Sequence, residues 1–174
     1  MSISYPTKVY SQKLNHIRSI PAIASATLAP TVAEWTAGIA AQCSFDADQF
    51  QYQVSADNGT SQRYCDAYET TTPGRKKIEA FDVEVYVDPQ LPTSASYALA
   101  TAWKLEPNVF IALRPGLSDT TAGAASQIVS PVFPAKIQSL GLIAPNPGDS
   151  TDVYKWLFKV LPTGDPKWDV AILP

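Results

Sequence analysis

The residues best suited to chemistry in this chain are His16, Cys43, Cys65 and two close carboxylate pairs, Asp46 with Asp48 and Asp82 with Glu84. His16 is the only histidine among 174 residues, so neither a multi-histidine metal site nor a two-histidine catalytic set can form within one chain. As a lone residue near the N-terminus it reads as a surface or interface group. A cysteine nucleophile would need that imidazole as its base, and neither cysteine stands in a nucleophile turn or at an evident helix start. The cysteine spacing fits no zinc ligand set, and in a reducing compartment the two read as buried free thiols. Asp82 and Glu84 share one face of a strand, and Asp46 and Asp48 flank one residue of a turn. Both pairs read as solvated acids rather than as an acid–base couple or calcium ligands. Phosphate-binding glycine loops, a nucleophile elbow and an HExxH helix are also missing from the sequence. The expectation is a protein with no catalytic residue, no cofactor and no metal.

Bulk properties narrow the class further. The length suits one domain with a real core. No apolar run approaches the ~20 residues of a membrane span, and the first fourteen residues lack the basic start and apolar middle of a signal peptide, so a soluble chain made without export is expected. The formal charge is −3 and the only basic cluster is Arg75-Lys76-Lys77, which argues against tight binding to a nucleic-acid backbone. Fifteen prolines punctuate short β-branched and aromatic runs, the pattern of many strands joined by turns.

The stretch from Phe81 to Arg114 would position everything else. Phe81, Val83, Val85 and Val87 alternate with Asp82, Glu84 and Tyr86, a strand with one buried face. Ala95, Ala98, Leu99, Ala102 and Trp103 then make one stripe of a short helix, with Thr93 or Ser94 as N-cap. Pro107 ends it, and Val109, Ile111 and Leu113 begin a further strand.

Elsewhere, Thr31 and Glu34 have capping-box spacing before Gly38, which predicts one helical turn. Residues 39–45 and 50–55 form a candidate hairpin. Asp57-Asn58-Gly59 signals a turn leading into a polar strand over 61–65. Strands are also predicted around Val129–Ile137, over 154–160 and over 168–172. Trp103, Trp156 and Trp168 read as core, and Trp35 as core or interface. The fold class is mainly β: a β-sandwich or barrel with one flanking short α-helix.

Residues 1–28 carry scattered apolar side chains without a sustained period and read as an extended N-terminal arm on a single β-sandwich domain over 29–174. Core strands are placed after the arm, so deletion of 2–20 should leave a folded domain. Residues 67–77 read as a long exposed loop. An arm that apolar either packs back on its own sheet or lies across another subunit, which points to self-assembly.

The succession APTVAEWTAG, RYCDA, FDVEVYVDPQ, a short helix, NVFIALRPG and a last aromatic strand resembles the major tail tube proteins of long-tailed, siphovirus-type bacteriophages, especially those of actinobacteria. The resemblance spans nearly the whole chain. It implies six copies in a ring, rings stacked into a non-contractile tube, and a lumen through which genome DNA passes transiently. It further implies partners at the tail terminator, tail tip and tape measure, no membrane anchoring, and a place in the virion after assembly in the host cytoplasm. Carried over by position, the subunit and ring contacts fall on 2–20, 67–77 and 168–174, with Tyr5, Val9, Tyr10, Leu14, Ile17, Thr71, Arg75 and Lys76 as candidates. Asp82 and Glu84 become candidates for an acidic lumen wall that would keep DNA from sticking. Two other readings compete: another virion component, such as a tail terminator or capsid decoration protein, and a monomeric carbohydrate-binding β-sandwich.

Overall fold

The computed structural model describes residues 15–45, 49–50, 52–61, 70–105, 108–118, 121–146, 148 and 153–174. Its frame is a six-stranded antiparallel sheet that curls into half a barrel. The strands are β1 (Asn15–Ile20), β2 (Ile39–Ala40), β5 (Phe81–Tyr86), β6 (Asn108–Pro115), β8 (Val132–Ile143) and β9 (Lys155–Pro162), in the order β2-β1-β6-β8-β9-β5. A separate ribbon pairs β3 (Val54–Ser61) with β4 (Thr70–Ile78), and a two-residue pair joins β7 (Ile128–Val129) to β10 (Val170–Ala171). The helices among the described residues are α1 (Val32–Ala37) and α2 (Ala95–Leu105).

Alternation along the strands divides the apolar residues between two cores. On one face, Val83 and Val85 of β5, Phe158 and Val160 of β9, Phe133, Ala135 and Ile137 of β8, and Val109 and Ile111 of β6 pack under Leu99, Ala100 and Trp103 of α2. The Trp103 indole donates to Ser19 Oγ at 2.9 Å and meets the Phe158 ring edge-on at 5.3 Å, so its one polar atom is satisfied inside the core. On the other face, Ile20, Ala112 and Val132 are covered by Trp35 of α1, Val129 and Ile172. Each such side chain contributes about 1.5–3 kcal/mol by leaving water.

Helix α1 has six residues and depends on its ends. The Glu34 backbone N–H donates to Thr31 Oγ1 at 3.2 Å while the Thr31 N–H donates to Glu34 Oε2 at 2.7 Å, the reciprocal capping box that the spacing predicts. At the other end Arg18 Nη1 donates to the carbonyls of Trp35, Thr36 and Gly38, satisfying acceptors that a short helix leaves free. Helix α2 starts after Ser94, whose Oγ accepts from the Tyr97 N–H at 3.2 Å. Its inward face is Leu99, Ala100 and Trp103, whereas Ala95 and Ala98 are exposed. The two large side chains set the roll because they bury far more area than the alanines predicted to share their stripe.

Several segments differ from expectation. Residues 15–20, placed in an arm, form β1, which is paired on one side with β2 and on the other with all six residues Phe110–Pro115 of β6. The arm reading missed it because the period-2 pattern of His16, Arg18 and Ile20 buries polar groups as well as an aliphatic one. Thr70–Ile78, placed in the 67–77 loop, is β4: three threonines are β-branched and favour a strand even where little is buried. Asp57-Asn58-Gly59 does not reverse the chain; β3 runs through it, with a register slip between Ala56 and Asn58 that marks a bulge. Residues 168–174 fold back on their own chain. Ile172 is 1% exposed, the Val32 N–H donates to the Leu173 carbonyl, and the Leu173 N–H donates to that of Pro30. Trp168, expected in the core, is 56% exposed. The strand expected over 61–65 and the Asp46–Asp48 turn lie largely outside the described residues.

Candidate functional site

Two arrangements collect the polar side chains. The first is the half of the second sheet face that α1 leaves uncovered, over β8, β9 and β5. The register sets Asp82 opposite Lys159, Glu84 opposite Leu157 and Tyr86 opposite Lys155, and sets Gln138 beside Lys159. These side chains point away from the α2 core because Val83, Val85, Phe158 and Val160 point into it. Lys155 Nζ lies 3.2 Å from Glu84 Oε2 and 5.6 Å from the Tyr86 ring centre, and Lys159 Nζ lies 3.9 Å from Asp82 Oδ1. With Lys136 on the same face, two carboxylates stand among three ammonium groups. That face is therefore of mixed sign: lysines of the neighbouring strand answer each acid.

The second arrangement is buried, and its centre, Arg114, carries no local sequence signal. Arg114 of β6 is 0% exposed. Its Nη1 donates to Gln127 Oε1 at 2.6 Å and to the Ala122 carbonyl at 3.2 Å, and its Nη2 donates to the Thr121 carbonyl at 2.5 Å. Arg114 Nη2 also lies 3.0 Å from His16 Nδ1, and Arg18 Nε donates to His16 Nε2 at 3.2 Å. Both guanidinium groups sit by the Trp35 ring, 5.2 and 5.5 Å from its centre, and the His16 ring meets it edge-on. Burial lowers the pKa of both arginines, and the Arg18 charge lowers that of Arg114 further. His16, expected at a surface or interface, is 2% exposed here. The cluster ties Ser118, Thr121, Ala122 and Gln127, together with α1, to the sheet. No group of three or more His, Cys, Asp or Glu suited to a metal occurs among the described residues.

A family model described as phage tail tube protein matches residues 3–174. The chain belongs to the phage tail tube protein family. No curated protein matches it. Among solved structures it is similar to the cryo-EM structure of the anti-feeding prophage cap, the AFP tube terminating cap, at 12% identity over 97% of this chain and 95% of that chain. The TM-score is 0.47, a likeness too loose to carry an argument. As a tail tube family member the chain is a structural protein of the phage tail, and its family is not one of enzymes.

The tail tube family member distributes the remaining candidates as follows. Ile17 lies on β1, partly buried against the α2 core, and is not in an arm. Thr71, Arg75 and Lys76 have their backbone in β4, with Thr71 opposite Thr60 and Lys76 opposite Ala56. Tyr5, Val9, Tyr10 and Leu14 lie outside the described residues. Cys43 is an exposed free thiol rather than a buried one, and Cys65 lies outside the described residues. No described helix is long and apolar enough to cross a membrane.

Proposed function

We propose that this tail tube family member forms hexameric rings that stack into the non-contractile tube conducting genome DNA to the host. The observation that carries the reading is the family match over residues 3–174. The uncovered face of β8, β9 and β5, with Asp82 and Glu84, lines the lumen in this reading. Alternating signs at that face suit passage of a polyanion: an all-basic wall would hold phosphates by releasing their counterions, whereas a balanced one gives weak net attraction. The tube is built in the host cytoplasm, with the tail terminator, tail tip and tape measure proteins as partners, and tail residence follows from the family.

Electron microscopy of the purified protein tests the assembly. Rings of six and stacked tubes are the expected result. Monomers alone, at high concentration and with tail initiator present, would count decisively against it.

A further inference from the structure

The six-stranded sheet has β2 and β5 as its outer strands, and they differ in how much edge they offer. β2 is two residues long, too short to template a partner, whereas β5 has six. Just past β5 the Val87 N–H donates to the Tyr154 carbonyl at 2.9 Å. The odd-numbered residues of this stretch therefore turn their backbone groups toward β9, and Asp82, Glu84 and Tyr86 turn theirs to the outer edge. A six-residue edge of alternating N–H and C=O groups is a ready template for another strand.

Two of those outward donors are answered from within the chain. The Glu84 N–H donates to Gln49 Oε1 at 2.9 Å, and the Tyr86 N–H donates to the Ser44 carbonyl at 2.7 Å. Both acceptors are held in place. Ser44 is 1% exposed, and its own N–H donates to the Ala41 carbonyl. Phe45 beside it is buried and stacks on Phe50 at 6.3 Å, and Phe50, next to Gln49, meets Phe81 of β5 edge-on at 5.6 Å. The residues that close the edge thus share the core of the strand they close. Without them the edge would be its own complement, because an identical strand run antiparallel presents matching groups. Like charge would not prevent that pairing, since Lys159 and Lys155 already answer Asp82 and Glu84.

We infer that Gln49 and the Ser44 carbonyl form an edge guard, which keeps an unassembled subunit from pairing its β5 with the β5 of a second copy. Such a pair has the same strand on both sides and closes on itself, so it cannot grow by contacts between unlike surfaces. The inference goes beyond the assembly reading and does not depend on it. The test uses the full chain at a concentration where the parent sediments as a monomer: Gln49→Ala removes the acceptor, and Gln49→Glu keeps one. In dilute Gln49→Ala the Glu84 amide is expected to exchange its hydrogen about fivefold faster or more, with Tyr86 exchange at the parental rate. At the higher concentration Gln49→Ala should sediment as a dimer in which the Glu84 amide is protected again, while Gln49→Glu stays monomeric. Unchanged Glu84 exchange in Gln49→Ala overturns the guard, as does a monomer whose Glu84 amide is exposed. Faster exchange at Tyr86 as well marks general loosening and overturns it too. So does a dimer formed equally by Gln49→Glu, or one that leaves Glu84 unprotected. None of these results bears on ring assembly, which microscopy reads separately.

Discussion

Arg114 is a buried cation answered by carbonyls, an amide and an imidazole, and that makes it costly to replace. Arg114→Met removes a desolvated charge but leaves the carbonyls of Thr121 and Ala122 and the Gln127 side chain without their donor. The net result expected is a loss of about 1–3 kcal/mol, read as a lower urea midpoint with an unchanged slope. A second residue-scale test is Gly123→Ala. A Cβ there would run into Cδ1 of Trp35, a fully buried ring with two guanidinium groups beside it. Overpacking of that kind costs about 1–3 kcal/mol, and an unfolding midpoint equal to the parent's would show that the indole moves after all. Arg18 stands two residues from His16 on one strand face, so that half of the cluster was open to sequence reasoning. Arg114 is 98 residues away, and nothing local marks it as the partner.

At the scale of elements, α1 converts a local motif into a pH response. Hydrogen bonds from the backbone N–H of Thr31, then that of Ala24, and from the Thr31 hydroxyl hold the Glu34 carboxyl below its ordinary pKa. An acid with a folded pKa below its unfolded one stabilises the fold above the unfolded value of about 4.3 and loses that contribution as pH falls through the folded value. The denaturation midpoint is therefore expected to drop as pH is lowered from about 5, and Glu34→Gln should flatten the drop; the group is partly exposed, so the effect is modest. Parallel curves for the two proteins would remove Glu34 as the source. The capping box was legible because its two residues are three apart. β1 was not, since its strand character depends on β6 nearly a hundred residues later. Its place between β2 and β6 reverses the expectation for deletion of 2–20: that chain should lose its β-sheet circular dichroism and its cooperative unfolding. Ile20→Ala alone should cost about 2–5 kcal/mol, because the side chain is 0% exposed in the second core.

At the scale of the whole molecule, the unit running from β5 through α2 to β6 could be read from its change of period, but sheet order could not. Residues 81–87 looked like the centre of the fold, yet β5 is an edge strand, and its position beside β9 is what gives Asp82 and Glu84 their lysine partners. The partnership bears directly on DNA passage. Asp82→Lys combined with Glu84→Lys would put five ammonium groups and no carboxylate among the charges of that face. Both ion pairs are partly solvent-exposed, with side-chain exposures of 22–54%, so their loss should cost no more than about 1 kcal/mol each and leave ring assembly intact. If the face lines the lumen, assembled variant tubes should retain short duplex DNA at low salt, release it steeply as salt rises, and slow ejection, while parent tubes do none of this. Retention by assembled tubes and not by unassembled subunits separates a lumen from an outer surface, because only closure concentrates the lysines of six copies around one duplex. Variant tubes that eject DNA at the parental rate and retain none would take this face off the wall.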